Sequence, residues 1–195
     1  VSIIKVVVNY IKRKRRRFIT NRNAQLKQSD VQRWEKTEAL FEDWNQRTNI
    51  MAQYIGAHDS VLEFGAAKLA LKQFIPETVK YTPSDIVDRG EGTIVCDLNR
   101  KPYPEFNRQD VIFFSGVLEY VFDIPDLVQF LSTKTNKFII SYCTFDSFSS
   151  QENRKINGWV NQYTNLEIIN IFKENTFELI ETKTWRKQNI YVFKK

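Results

Sequence analysis

The run Val61-Leu62-Glu63-Phe64-Gly65-Ala66-Ala67, an apolar stretch that ends in an acid and then in glycine, constrains the fold of this chain more than any other feature. It has the pattern of a buried strand running into a turn. A second strand-like run, Lys80 to Ser84, ends on Asp85, and a third, Thr93 to Cys96, is followed by Asp97. A strand closing on an acid and a glycine turn, followed by a second strand closing on another acid, is an arrangement that cradles a nucleoside. The turn lets backbone N–H groups approach the ligand, and the second acid accepts hydrogen bonds from ribose hydroxyls. Glu63, Gly65, Ala67, Asp85 and Asp97 are therefore the candidate cofactor residues. A local alternative stands beside this reading, because aspartate also favours turn positions, where Asp85 could cap and Asp97 could start a turn. Their common place at strand ends favours the ligand.

The remaining pattern is that of an α/β domain. Val111 to Ser115 and Phe138 to Tyr142 are near-continuous apolar runs, as expected of parallel strands covered on both faces. Pro125 to Ser132 and Thr164 to Glu174 read as helices, the latter opened by a Thr164–Glu167 capping box. Phe177 to Thr184 and Ile190 to Phe193, joined by a few polar residues, read as an antiparallel hairpin. Ala66 to Ile75 has helix-favouring composition ended by Pro76, whereas the connections after the second and third strands are too short or Pro-rich for full crossover helices. Upstream, Ser29 with Gln32 reads as a capping box. Val31, Trp34, Phe41, Trp44, Met51 and Ile55 then predict one long amphipathic helix from about residue 30 to Ile55. The expected architecture is a Rossmann-like, doubly wound α/β fold, its sheet mostly parallel with a C-terminal antiparallel hairpin, preceded by an N-terminal helix. The expected division is a basic tail or amphipathic segment over 1–28, a helical cap over 29–59 and the Rossmann-like domain over 60–195.

The net charge of +6 is unevenly placed. Nine of the 29 basic residues precede Gln28 with no acid among them, so the other 20 face 23 acids and the body is slightly acidic. A nucleic-acid partner, which needs a basic face on the folded domain, is disfavoured. The run Lys12 to Arg17, with Ile3, Ile4, Val6, Val7, Val8, Tyr10 and Ile11 before it, suits an anionic membrane surface as well as it suits a solvated tail. Apolar residues precede that charge run instead of following it, and no stretch of about 18 apolar residues occurs, so neither a secretory signal nor a membrane span is expected. Cys96 and Cys143 lie far apart without CxxC spacing, and with His58 as the lone histidine no metal site is expected. A reducing, cytoplasmic setting fits.

These segments resemble the class I S-adenosylmethionine-dependent methyltransferases from about Ser60 to the C-terminus. Val61 to Ala67 is similar to the family's first motif, whose glycine turn lies against the methionine end of the cofactor. Tyr81-Thr82-Pro83-Ser84-Asp85-Ile86 is similar to the second, where the acid binds ribose, and Cys96-Asp97-Leu98 to the segment that meets adenine. The run from Asp110 to Val121 resembles the fourth strand and the following "LEH" turn, which brings in Ser115, Gly116 and Glu119. The resemblance implies S-adenosyl-L-methionine as cofactor and a small-molecule or glycan acceptor. The chain departs from the family in having Ala67 and Leu69 where a GxGxG turn is usual, and Tyr120 in place of the imidazole.

Methyl transfer depends chiefly on holding the acceptor in line with the sulfonium. Tyr120, Asp146 and Tyr163 are the candidate bases. His58 precedes the first strand and belongs at the opposite edge of the sheet, and Cys143 reads as packing that also lines the pocket. Thr144 to Gln162, carrying Phe145, Phe148 and Trp159, is long for a loop and suits a lid. Two other functions fit the same residues: a catalytically inactive Rossmann-like interaction module, and a nucleic-acid methyltransferase that captures its substrate through the basic tail.

Overall fold

The computed structural model describes residues 3–36, 40–90 and 92–195. Seven strands form one sheet: β1 (Ser60–Phe64), β2 (Lys80–Asp85), β3 (Ile94–Val95), β4 (Val111–Ser115), β5 (Lys137–Tyr142), β6 (Glu178–Trp185) and β7 (Gln188–Lys194). Their order is β3-β2-β1-β4-β5-β7-β6. The first five are parallel, and β7 runs antiparallel between β5 and β6. Chain order reverses between β1 and β4, so the carboxyl ends of these two strands open a crevice, the place where such sheets bind ligands.

Alternation along the strands sorts the core into two layers. Leu62, Phe64, Ile112, Phe114, Phe138 and Ile140 face one side, under α4 (Ile124–Ser132) and α6 (Asn165–Glu174), which contribute Leu127, Leu131, Ile168 and Phe172. Val61, Val111, Phe113 and Ile139 face the other, covered by Met51 and Ala52 of α3 (Trp44–Ala52) and by Leu71. The Thr164 hydroxyl accepts from the Glu167 N–H and the Glu167 carboxylate from the Thr164 N–H, the expected capping box. The edge strand β6 carries Glu178, Glu181 and Lys183, charges that discourage pairing with another chain.

Three expectations are corrected. Ala66 to Ile75 is not a helix: Ala67 (φ 49°) and Leu69 (φ 56°) are left-handed, and only a short 3-10 turn, Ala70–Gln73, forms. Left-handed backbone interrupts the i to i+4 ladder whatever the composition favours. The long helix over 30–55 is instead α2 (Val31–Trp34) and α3, with residues 37–39 outside the described residues. Its apolar stripe serves two places, since Trp34 packs edge-on against Tyr120 while Met51 is buried beneath the sheet. The Ser29–Gln32 capping box does not form; Asp30 is the N-cap, and the Ser29 hydroxyl donates to Asp97.

The basic N-terminal segment is helical, as α1 (Ile3–Gln25). Val6, Val7, Tyr10, Ile11 and Phe18 are exposed along it, and Thr20 is buried. The side chains of Ile3, Ile4, Lys12, Arg13 and Arg16 lie outside the described residues. Among the described residues no helix is long and apolar enough to cross a membrane.

Candidate functional site

Gly65 closes β1 with φ +70°, and a Cβ built there would lie 2.4 Å from Cγ2 of Val117, so the turn is tight enough to demand glycine. Gly116 closes β4 with φ +70°, and its Cβ would meet the Arg47 guanidinium at 2.6 Å. The glycine at each strand end thus makes room for a neighbour: the β4 turn admits an arginine and the β1 turn admits Val117.

Arg47 was not singled out by the sequence. It is 5% exposed on α3, and burial pulls its pKa down while Glu119 and other acids oppose that shift. Its Nε donates to Ser115 Oγ (3.0 Å), Nη2 to the Ser115 carbonyl (2.9 Å) and Nη1 to Gln188 Oε1 (2.5 Å). Gln188 in turn donates to Glu119 Oε1 at 2.9 Å, an oxygen that also accepts from the Cys143 N–H at 2.9 Å. Glu119 is fully buried, its pKa is raised by desolvation, and its Oε2 has no partner among the described residues. It holds the Arg47–Gln188 pair from beneath and does not line the cavity.

Asp85 is almost wholly buried. Oδ2 accepts from the Ala67 N–H (2.9 Å), and Oδ1 from the Val87 N–H (3.0 Å) and Arg89 Nη2 (3.2 Å). Both readings of this residue therefore meet here: it caps the turn at Val87 and also ties the glycine turn to β2. A carboxylate offers about four lone-pair sites and three are engaged, so one remains for a ligand hydroxyl. Asp97 Oδ1 accepts from Ser29 Oγ (2.5 Å) and the Asn99 N–H (3.0 Å), leaving Oδ2 without a partner in the described residues. Glu63 receives the Tyr81 hydroxyl, and desolvation lifts its pKa to about 8, so it is protonated at neutral pH.

The segment after β5 folds back over the crevice. Arg154 of α5 (Gln151–Ile156) is 1% exposed. It donates to the carbonyls of Cys143 (3.0 Å), Thr144 (3.3 Å), Phe148 (3.2 Å) and Asn161 (3.2 Å) and lies 4.8 Å from the Trp159 ring centroid. Trp159 Nε1 donates to the Tyr120 hydroxyl at 3.3 Å. Tyr120, its pKa pushed up to about 12 by burial, lines the cavity as a hydrogen-bonding hydroxyl and not as a base at neutral pH. Asp146 accepts from the Asn165 N–H at 2.6 Å and, like Tyr163, lies outside the cavity lining. Cys143 lines it as a buried thiol with its pKa raised to about 11. His58 is exposed just before β1, at the opposite edge.

Glu63, Gly65, Ala67, Asp85, Asp97, Ser115 and Gly116 thus converge on one cavity of about 1780 Å³, which all four tryptophans also line. Its polar groups fit an adenosyl amino acid: a buried cation over the β4 turn, an acceptor acid with a spare lone pair at the end of β2, and a half-buried acceptor acid beyond β3. Of the residues that line it, Arg47 and Arg89 carry no local motif. Their roles rest on contacts up to 141 residues apart in sequence, as between Arg47 and Gln188.

No family profile matches the chain, and no curated protein matches it. Solved structures do. The 1,6-didemethyltoxoflavin-N1-methyltransferase of Burkholderia thailandensis, bound to 1,6-didemethyltoxoflavin and S-adenosylhomocysteine, is 15% identical with a TM-score of 0.61, over 85% of this chain and 84% of that one. A putative methyltransferase in complex with the Trm112 methyltransferase activator of Haloferax volcanii is 11% identical with a TM-score of 0.64, over 86% and 98%. A putative O-methyltransferase of Nostoc punctiforme is 15% identical with a TM-score of 0.62, and the match spans 85% of this chain and 60% of that one. With its strand order, its C-terminal antiparallel β7 and these likenesses together, the chain has the fold of the class I S-adenosylmethionine-dependent methyltransferases.

Proposed function

We propose that this protein is an S-adenosylmethionine-dependent methyltransferase acting on a small molecule or saccharide. The observation that carries the reading is the convergence of the Gly65 turn, Asp85, Asp97 and the buried Arg47 on one cavity at the switch point of the sheet. In this reading Arg47, already pinned by Ser115 and Gln188, offers its guanidinium to the cofactor carboxylate. Asp85 takes a ribose hydroxyl on its remaining lone pair, and Asp97 Oδ2 the adenine amine. When bound, the cofactor supplies an electrophilic methyl group. The protein's own part is positional: Phe148 and Trp159, held by Arg154, exclude water over the crevice, and the Tyr120 hydroxyl orients the acceptor.

Calorimetric titration with S-adenosylmethionine and S-adenosylhomocysteine tests this reading, beside Asp85→Ala and Arg47→Met. Saturable binding that both substitutions abolish supports it; no binding by folded protein refutes it. The inactive interaction module is the second reading, favoured by Arg89 lying against Asp85 with both side chains under 10% exposed. It is the one left standing if the titration is flat. For α1, the exposed apolar residues beside Lys14, Arg15 and Arg17 support an anionic membrane surface as a partner. Sedimentation with phosphatidylglycerol vesicles, lost on Val7→Asp/Ile11→Asp, tests that.

A further inference from the structure

The cavity has a charge that the body of the protein lacks. Beyond its first 27 residues the chain has 20 bases against 23 acids, yet bases outnumber acids around the cavity. Four acids line it among the described residues. Asp30 accepts from Thr20 and Asn23, Asp85 from Arg89, Asp97 from Ser29, and Glu63 holds a proton beside Tyr81.

Several cations have no such partner. Lys14 and Arg15 of α1, Lys36 after α2 and Lys187 in the β6–β7 turn line the cavity, are exposed, and pair with no carboxylate among the described residues. They come from three separate elements, so their presence around one cavity is not the by-product of a single basic run. Lys187 stands 4.5 Å from the Phe148 ring centroid, and Phe148 meets Trp159 edge-on at 5.8 Å. Cations rimming an aromatic wall attract anions by the local field and hold a ring by apolar contact.

Resting on the methyltransferase reading, we infer that the acceptor is a small anion, whose phosphate or carboxylate lies among Lys14, Arg15, Lys36 and Lys187 while its ring rests on Phe148 and Trp159. A polynucleotide would need a basic track continuing away from the opening over the body, where acids outnumber bases. A small anion needs only the rim.

The test follows tryptophan fluorescence of the full chain during titration with matched pairs, glucose 1-phosphate against glucose and benzoate against benzyl alcohol. S-adenosylhomocysteine is titrated separately by calorimetry. The charged member of at least one pair is expected to bind about tenfold tighter than the neutral one, and the pair that responds identifies phosphate or carboxylate. Lys36→Glu/Lys187→Glu should weaken the anion by about tenfold and leave S-adenosylhomocysteine within about twofold. Equal binding of charged and neutral probes, or anion binding indifferent to the double reversal, overturns the acceptor class while leaving the cofactor reading intact. Tighter binding of an oligoadenylate, falling steeply with salt, overturns it in favour of nucleic acid. If S-adenosylhomocysteine fails to bind folded protein, the methyltransferase reading falls, and the assignment of these cations to an acceptor falls with it.

Discussion

Arg154 offers the sharpest test of how the segment over the crevice is held. Its guanidinium reaches the carbonyls of Cys143, Thr144, Phe148 and Asn161 and the Tyr142 hydroxyl, at 3.0 to 3.4 Å. Truncation in Arg154→Ala leaves these acceptors without their donor, in a place that is 1% exposed. At about 1 kcal/mol net for each hydrogen bond the gross loss approaches 5 kcal/mol, and relief of the buried charge's own desolvation brings the expected loss to about 3–4 kcal/mol. Arg154→Lys keeps the charge but replaces a planar fork with a point donor, and should recover no more than about half. Urea unfolding followed by tryptophan emission reads the global loss, since Trp159 lies against the substituted side chain. Amide hydrogen exchange over residues 144–161 reads the local one. An Arg154→Ala loss below about 1 kcal/mol, with exchange over 144–161 unchanged, would refute the claim that this side chain holds the segment.

Two further perturbations probe the strand ends. Glu63 has a folded-state pKa raised from 4.5 to about 8 by desolvation, so the native state keeps a proton that the unfolded chain releases. Its contribution is therefore fully present at acid pH and lost as pH rises from about 4.5 through about 8, at up to about 1.4 kcal/mol per pH unit. Glu63→Gln, which retains an acceptor for Tyr81, should flatten the fall in urea midpoint between about pH 5 and pH 8; parallel profiles would contradict the assignment. Gly116→Ala places a methyl 2.6 Å from the Arg47 guanidinium at φ +70°. A stability loss of about 1–3 kcal/mol is expected together with weaker S-adenosylhomocysteine binding, and unchanged binding would show that Arg47 does not face the cofactor.

What was legible in the sequence was local. Near-continuous apolar runs marked β1, β4 and β5 because strands covered on both faces need apolar residues at successive positions, and the Thr164–Glu167 pair marked the start of α6 because a cap is settled within four residues. Gly65, Asp85 and Asp97 were legible as strand-end residues, though their present partners were not. Ala66 to Ile75 misled because helix propensity is a fraction of a kcal/mol per residue, and the left-handed backbone at Ala67 and Leu69 overrides it. Arg47 left no local trace at all. Its partners Ser115 and Gln188 lie 68 and 141 residues away, and its position on α3 resembles that of any polar residue on an amphipathic helix until the sheet places the end of β4 beside it.

The short crossovers explain why such distant residues build the site. Among the described residues no helix longer than a 3-10 turn lies between β1 and β2, and none between β2 and β3 or β3 and β4, so the sheet's own connections supply little roof for the crevice. The N-terminal elements take that place: Ser29 reaches Asp97, the Trp34 carbonyl accepts from Arg89, and Arg47 with Thr48 meets Ser115. Each of these contacts ends on a residue at or just beyond the carboxyl end of a different strand, β3, β2 or β4. The residues before β1 therefore complete the site as well as preceding it, and residues 60–195 without them would leave Asp97 and Ser115 short of these partners and Arg89 without its carbonyl. It follows that a change at Ser29, far from any recognisable motif, acts on the crevice through Asp97, whereas Trp34 acts on Arg89, and by way of it on Asp85, through the position of its backbone carbonyl.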